Sequence, residues 1–146
     1  MAVYKIFPTQ DTTLYSIYPE MNTGLDEILE ASLEVGNLGT PAPQASRFLI
    51  QFDSNEITDI ISNKISGSQW QSNLKCLVAN VTALNSTTTI ETYAVSQSWN
   101  MGTGRFEYVP QVQNGASWFW KDYQGGNTWT DGTFNIDTTG SYSSSV

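Results

Sequence analysis

The sequence predicts an all-β protein, an antiparallel β-sandwich of jelly-roll type with one short helix. Apolar and polar residues alternate with a period of two in many short runs, and Gly, Pro, Asn and Ser residues separate the runs. This pattern is typical of a protein built from about eight short strands. Helical spacing occurs once, at residues 54–65. The chain has 146 residues and one cysteine, so it is long enough to form one domain with an apolar core and no disulfide.

The N-terminal half contains four predicted strands, at residues 3–7, 12–17, 27–35 and 47–52. The third would also permit a helix, but a strand separates its apolar and polar side chains more cleanly. In the fourth, alternation assigns Phe48, Ile50 and Phe52 to the core. Residues 18–24 and 36–46 are predicted to be loops because they combine proline with glycine and asparagine.

Residues 54–65 carry the helical signature. Isoleucines recur there at i, i+3, i+4 and i+8, which are positions 57, 60, 61 and 65. Ser54 and Asn55 offer side chains that can cap the first turn. We therefore expect a short helix that packs as a lid over one end of the sheet.

The C-terminal half is predicted to begin with a hairpin of two longer strands, residues 74–84 and 87–98. Alternation in the first strand places Cys76 on the apolar face, so its thiol is expected in the core as a small apolar group. Residues 138–146 are rich in Ser, Gly and Thr, which predicts a frayed tail or linker. The predicted single domain therefore comprises residues 1–137.

The composition excludes several classes of function. Fourteen acidic and six basic residues give a formal net charge of −8, and the basic residues are scattered singly, which argues against nucleic-acid binding. The chain has no histidine, so catalytic triads and zinc sites that need imidazole are excluded. No apolar run reaches the roughly 18 residues of a transmembrane helix, and residues 1–8 lack the apolar core of a signal peptide. We expect a protein that is neither an enzyme nor inserted in a membrane.

Several short motifs follow one another between residues 11 and 130. In chain order they are Asp11-Thr-Thr-Leu-Tyr15, Pro19-Glu-Met-Asn22-Thr-Gly24, Ser46-Arg47-Phe-Leu-Ile-Gln-Phe52-Asp53, Leu74-Lys-Cys-Leu-Val78, Ile90-Glu-Thr-Tyr-Ala-Val-Ser-Gln-Ser-Trp99, and Asn114-Gly-Ala-Ser-Trp118 with Trp129. Together they resemble the DNRLRE-type domain. The resemblance implies a β-sandwich related to carbohydrate-binding modules and usually found as one unit of large secreted bacterial proteins.

Three departures distinguish the chain from that family. Asn100 stands where the family often carries an acid after the tryptophan of the Ser-Trp motif. The closing strands are expected to be abbreviated, and the domain is expected to stand almost alone, without an export signal. A lone, acidic, unexported module of this kind resembles the small structural proteins of tailed bacteriophages.

The phage resemblance implies a non-enzymatic virion protein, such as a capsid decoration, neck, tail or fibre component. Its partners would be other virion proteins or copies of itself. It would be made in the host cytoplasm without a signal peptide and be localised in the virion. The alternative is a carbohydrate-binding module that recognises a cell-surface or polysaccharide glycan.

Aromatic residues are concentrated between residues 99 and 134. Sugars are bound by flat aromatic faces with amides and carboxylates nearby. This region therefore supplies the candidate glycan-binding residues, which are Trp120, Tyr123, Tyr108 and Asn127. Core positions are predicted for three other tryptophans, Trp99, Trp118 and Trp129, and remain an alternative for Trp120 and Tyr123.

Acidic residues follow one another from Glu20 to Glu34 without an intervening base. Calcium prefers oxygen ligands of this type, which makes Asp11, Asn22 and Asp26 candidate calcium ligands. The alternative is a solvated acidic face, because the segment lacks EF-hand spacing. No pair of carboxylates is singled out for glycoside cleavage, so we expect no catalytic residues and no cofactor apart from calcium.

Overall fold

The computed structural model describes residues 3–34, 44–65, 67, 70–79, 89–129 and 138–145. Within these ranges the chain forms seven strands and one short α-helix: β1 (Gln10–Tyr15), β2 (Leu33–Glu34), β3 (Gln44–Gln51), α1 (Ser54–Asp59), β4 (Thr89–Val95), β5 (Trp120–Asp122), β6 (Asn127–Thr128) and β7 (Thr138–Ser145). A π-helical turn, Ile60–Lys64, continues α1. The predicted all-β class with a single short helix is confirmed for the described residues.

The strands form three small antiparallel sheets in this part of the chain. In the first, β1 and β2 flank β3, and Thr12 of β1 lies opposite Leu49 of β3. In the second, β4 pairs with β7, with a register shift at Tyr93 and Ala94. In the third, β5 pairs with β6. The loops that precede β5 carry the glycines and asparagines that build the candidate site.

Strand β1 is covered on both faces, because its side chains Thr12, Thr13 and Leu14 are buried in succession. Thr23, in the loop that follows β1, lies against its outer edge. The Thr23 hydroxyl donates to the Thr13 carbonyl at 2.7 Å and accepts from the Thr13 N–H at 3.2 Å. A loop side chain thus satisfies backbone groups that a further strand would otherwise pair.

The predicted core face of β3 is wrong. Leu49 is the buried apolar residue, whereas the side chains expected in the core, Phe48, Ile50 and Phe52, are only half-buried. The register explains this: Leu49 lies opposite Thr12, so it is a diagonal neighbour of Leu14 on the face that the core covers.

The apolar core joins the first sheet to Ala116, in the loop before β5, and to Trp129, directly after β6. Four buried residues form it, and three half-buried residues pack against them: Leu14, Leu49, Ala116 and Trp129, with Val95, Trp99 and Trp118. The indole N–H of Trp129 donates to the Ser117 carbonyl at 3.1 Å, so this fully buried ring has its polar atom paired. The predicted core positions of Trp99, Trp118 and Trp129 are confirmed.

The helix lies where the isoleucine spacing predicts it, but its cap is one residue earlier than Ser54. Asp53 is the N-cap and accepts the Asn55 N–H at 2.8 Å. The helix then widens, because the N–H of Ile65 donates to the carbonyl of Ile60 at 3.0 Å, five residues back. Ile60 is its buried residue.

Two of the N-terminal strands are predicted wrongly. Residues 3–7 form no strand, and the side chains of Val3 and Phe7 are exposed. Of residues 27–34, only Leu33–Glu34 are in a strand. Both segments alternate in polarity, but among the described residues only Leu33–Glu34 pair with a strand, β3. Alternation alone does not supply a neighbour.

Of the predicted hairpin of residues 74–84 and 87–98, the second strand is confirmed as β4 over Thr89–Val95, whereas the first is wrong over the residues that the structure describes, 74–79. Residues 74–78 form neither strand nor helix, and Cys76 is exposed rather than in the core. Residues 80–88, which include the predicted turn, lie outside the described residues. Strand β4 pairs instead with β7, so residues 138–145 are a strand where the composition predicted a tail. The domain boundary at residue 137 stays a prediction.

Within the described ranges, no helix has the length and apolar character needed to cross a membrane.

Candidate functional site

Two loops meet at Asn22, the one that follows β1 and the one between β4 and β5. The Asn22 side chain is completely buried. Its amide nitrogen donates to the carbonyls of Met101, at 2.7 Å, and Ala116, at 2.9 Å. Its amide oxygen accepts the N–H groups of Gly104, at 2.8 Å, and Gly24, at 3.3 Å. Both donors and both acceptor positions of the carboxamide are therefore used within the protein. We call this arrangement the Asn22 junction.

Glycines allow the loops to approach Asn22 this closely. Gly102 has a φ of +73°, and a Cβ there would overlap the Asn22 carboxamide. A Cβ at Gly104 would overlap the main-chain carbonyl of Asn22. The Gly-x-Gly spacing of residues 102–104 is thus required by the asparagine that it surrounds.

On one side of the Asn22 junction is a cavity of about 280 Å³, which we call the aromatic pocket. Six residues line it: Tyr18, Met21, Phe106, Tyr108, Val109 and Gln111. Met21, the neighbour of Asn22, is buried, whereas the three rings are more than a third exposed. The junction therefore holds the base of a pocket whose walls are open to solvent.

The rings of the aromatic pocket are inclined to one another. The Tyr18 and Phe106 centroids are 5.8 Å apart with the planes at 75°, an edge-to-face pair. Tyr15 packs on Phe106 from outside the lining, at 5.1 Å and 60°. These separations are those of favourable aromatic contacts, so the ring of Phe106 is supported from two directions.

Carboxylates surround this aromatic cluster. Asp26 accepts the N–H of Phe106 at 3.1 Å, and Glu30 accepts the hydroxyl of Tyr15 at 3.2 Å. Burial raises the pKa of Asp26, although the hydrogen bond from Phe106 opposes the rise. Burial and the charge of Glu30 raise the pKa of Tyr15, so this phenol stays neutral and donates. The cluster is thus an uncharged aromatic surface with negative charge beside it.

A second, more polar cavity of about 420 Å³ has Met101 and Gly102 in its lining, and we call it the amide pocket. It is lined by Thr9, Gln10, Asn100, Met101, Gly102, Thr103, Asn114 and Gln124. Its lining contains four carboxamides and two hydroxyls but no charged side chain. Such groups can donate and accept hydrogen bonds without carrying charge.

Two of the amides in this pocket are held in place. The Asn114 amide nitrogen donates to the Thr103 hydroxyl at 2.6 Å, and its oxygen accepts the Thr103 N–H at 3.0 Å. Asn100 accepts the N–H of Gly102 at 3.1 Å. The buried amide oxygen of Gln10, in contrast, has no hydrogen-bond partner among the described residues. Gln10 thus contributes a side chain to the lining whose oxygen is buried and unpaired among these residues.

The predicted glycan-binding residues lie in two places. Trp120 and Tyr123 are half-buried and contact each other edge to face, with centroids 5.2 Å apart. Asn127 is exposed on β6, the strand that pairs with β5. Tyr108 instead lines the aromatic pocket, whose lining contains none of the other three. The structure thus brings Trp120 and Tyr123 together, and Tyr108 is placed with Tyr18 and Phe106.

The predicted calcium ligands already have structural surroundings of their own. Asp11 lies on β1 opposite Ile50, and burial raises the pKa of its carboxyl. Asn22 has its amide oxygen occupied by two N–H groups, and Asp26 is bonded to Phe106. Among the described residues there is no group of three or more His, Cys, Asp or Glu able to hold a metal ion. Calcium binding at these three residues stays a prediction.

The sequence interpretation missed the residues that line both pockets apart from Tyr108. Asn22 was noticed, but as a ligand, because a polar residue in an acidic loop suggests a cation site. Its real partners are 79 to 94 positions away. The available signal was the pair of glycines at 102 and 104, since such spacing can mark a close backbone approach.

Comparisons with known proteins provide no relative for this arrangement. The chain matches no family model, and neither a curated protein nor a solved structure is significantly similar to it.

Proposed function

We propose that this protein is a non-enzymatic structural component of a tailed-phage virion that assembles with copies of itself. The proposed domain is a jelly-roll sandwich of the DNRLRE type. The motif resemblance and the small antiparallel sheets around one tryptophan-rich core support this fold. The observation that carries the assembly function is the exposed apolar segment 70–79.

The alternating sequence of segment 70–79 is typical of a strand, but its side chains are exposed to solvent. Leu77 is 86 % exposed and Val78 is 69 % exposed, and Trp70 and Leu74 are also in contact with solvent. The segment has no regular secondary structure. Large apolar side chains that are exposed together mark interaction surfaces. A strand-like segment of this kind can be buried by pairing with the sheet edge of another molecule.

A second copy of the chain offers a suitable edge. The outer edge of β1 is occupied by Thr23, as described above. Strand β7 has eight residues and, among the described strands, one neighbour, β4. An unpaired edge of this length invites strand addition. We therefore propose that residues 74–78 of one copy add to β7 of the next.

Sedimentation velocity over a range of protein concentrations tests this assembly. We expect the wild type to self-associate and Leu77→Asp to remain monomeric, because the substitution places a charge in the apolar contact. Leu77 is exposed, so the free energy of unfolding should change by less than about 0.5 kcal/mol.

Ser72→Asp is the matched control, since it adds the same charge to an exposed position of the same segment. It should associate like the wild type. Reducing conditions are required because the exposed thiol of Cys76 can form intermolecular disulfides. A wild type that stays monomeric, or a Leu77→Asp variant that associates equally well, would contradict the proposal.

The second candidate function is glycan recognition, which the amide pocket and the Trp120–Tyr123 pair favour. Carboxamides can both donate to and accept from sugar hydroxyl groups, and sugar rings stack on exposed aromatic faces. We expect Trp120→Ala and Tyr123→Ala to lose glycan affinity with little loss of stability. Glycan arrays followed by calorimetric titration measure the affinity, and thermal unfolding measures the stability.

The core tryptophan provides the comparison for these variants. Trp129→Ala should cost roughly 3–5 kcal/mol of unfolding free energy, because Trp129 is completely buried. Should Trp120→Ala lose as much stability, Trp120 belongs to the core. Should both variants keep full stability and unchanged glycan retention, these two residues are not the glycan site.

A further inference from the structure

The aromatic pocket has a lining that is unusual for a polar ligand. Three of its six residues are aromatic, and Met21 and Val109 are apolar. Gln111 supplies the one carboxamide, and no charged side chain lines the cavity. A ligand with many hydroxyl groups would leave most of them unpaired there, and unpaired buried polar groups are costly.

Three aromatic side chains line this cavity, and the rings of two of them, Tyr18 and Phe106, are inclined to each other at 75°. Phe106 is 48 % exposed, and Tyr18 and Tyr108 are also open to solvent. Tyr15 and Tyr18 hold Phe106 from two directions, so its position does not depend on a ligand. Several rings around one cavity can surround a cation, which is attracted to the negative face of each ring.

Carboxylates strengthen the negative potential around this cavity. Asp26 is bonded to the Phe106 N–H, Glu30 is bonded to the Tyr15 hydroxyl, and Glu107 follows Phe106 in the chain. The neighbouring base, Arg105, lies 3.8 Å from Glu27 and is thereby partly neutralised. A cation therefore approaches a site of favourable potential, whereas an anion is repelled.

The type of cation follows from the hydrogen-bonding capacity of the lining. An ammonium or guanidinium group brings several N–H donors, each of which needs an acceptor. A quaternary ammonium group brings none and needs only apolar and aromatic contact with a negative potential. The cavity of about 280 Å³ is slightly smaller than the roughly 300–1,000 Å³ of sites for drug-sized ligands, which suits a small headgroup.

We infer that the aromatic pocket binds a quaternary ammonium group, with Tyr18, Phe106 and Tyr108 as its aromatic walls. This inference goes beyond the proposed assembly function and does not depend on it. The site lies apart from segment 70–79, so either proposal can fail while the other stands.

Choline and its neutral isostere 3,3-dimethyl-1-butanol are the probes that test this site. The two differ in charge but hardly in shape. Chemical-shift titration of the labelled full chain should show saturable shifts at the Phe106 N–H with choline. The alcohol should bind roughly tenfold more weakly, because it lacks the cation–π attraction. Added sodium chloride should weaken the binding of choline but not that of the alcohol.

Variants of the walls provide a second test. Phe106→Leu and Tyr18→Leu each keep an apolar side chain but remove a ring, so each should weaken choline binding roughly tenfold. Tyr4→Leu is the matched control, since Tyr4 is an exposed tyrosine outside the lining and should leave the affinity unchanged. If one of the two variants, Phe106→Leu or Tyr18→Leu, does not fold, the other still tests the inference.

Three results would overturn the inference. The first is the absence of a saturable shift in the wild type with choline. The second is equal affinity for choline and the alcohol, which would show an apolar cavity without preference for charge. The third is retention of wild-type choline affinity by a folded Phe106→Leu or Tyr18→Leu variant.

Discussion

Asn22 joins two loops, because its side chain in the loop after β1 is hydrogen-bonded to Met101, Gly104 and Ala116 in the loop between β4 and β5. A buried carboxamide with all of its partners present is favourable, whereas the loss of one partner leaves an unsatisfied group. The residues around it are correspondingly restricted. Gly102 is the clearest case, since it combines a left-handed backbone with direct contact to the Asn22 amide.

Gly102→Ala should therefore destabilise the protein more than Gly126→Ala does. Both glycines have a positive φ, +73° and +69°, so both variants carry the left-handed penalty of roughly 1–2 kcal/mol. A Cβ at Gly126 meets open space, whereas at Gly102 it overlaps Asn22, which adds about 1–3 kcal/mol. Urea denaturation measures both losses. Equal losses of unfolding free energy would show that the Asn22 junction can rearrange around the added methyl group without loss of stability.

At the scale of elements, α1 depends on a capping residue just outside its first turn. Asp53→Ala removes the acceptor of the Asn55 N–H and should cost about 1 kcal/mol of unfolding free energy. Ser54→Ala is the control, because the cap bond is made by Asp53 and not by Ser54. Urea denaturation of the two variants decides between the caps, and a larger loss in Ser54→Ala would contradict the structure.

The elements that could be predicted from the sequence are those in which the spacing of apolar residues matches the period of the helix or strand. The isoleucine spacing located α1, and alternation located β1 and the middle of β3. The tail strand β7 could not be found, because its Ser, Thr and Gly residues carry no apolar alternation. The opposite error occurred at residues 74–78. Their pattern predicts a strand, but no strand forms there, and the described residues contain no partner strand for them. Strand formation depends on a neighbour, which a local pattern does not reveal.

The candidate site was less predictable than the fold. Aromatic content drew attention to Tyr108, Trp120 and Tyr123, whose role in glycan binding stays a prediction, but it did not show that Tyr108 lies with Tyr18 and Phe106. That grouping depends on loops more than 80 residues apart in the chain, which meet through the Asn22 bonds. Loop positions of this kind are determined by tertiary hydrogen bonds and not by periodicity.

For the whole molecule, two half-buried carboxyls predict a pH dependence of stability. Burial raises the pKa of Asp11 and Asp26 above the value of the unfolded chain, so the folded state binds their protons more tightly. Stability due to these groups should be highest below the unfolded pKa and should fall as the pH rises through the folded pKa. Urea midpoints measured from acid to neutral pH should show this decline.

The double variant Asp11→Asn, Asp26→Asn isolates their contribution. Asparagine does not ionise, so the decline should be smaller in the variant than in the wild type. The exposed pair Asp59–Lys64, in which the lysine lowers the pKa of the aspartate, is present in both proteins and cancels in the difference. Identical pH profiles would show that neither carboxyl is perturbed in solution.

The long separation between Asn22 and its partners also has a consequence for how the protein is made. Synthesis proceeds at about 5–20 residues per second, and Ala116 is added 94 positions after Asn22. The time between the synthesis of Asn22 and the synthesis of Ala116, the last of its hydrogen-bonding partners, is therefore roughly 5–20 s. During that interval the nascent chain carries Met21 and Asn22 without the groups that bury them. Completion of this part of the fold is thus a late event, which follows translation of most of the chain.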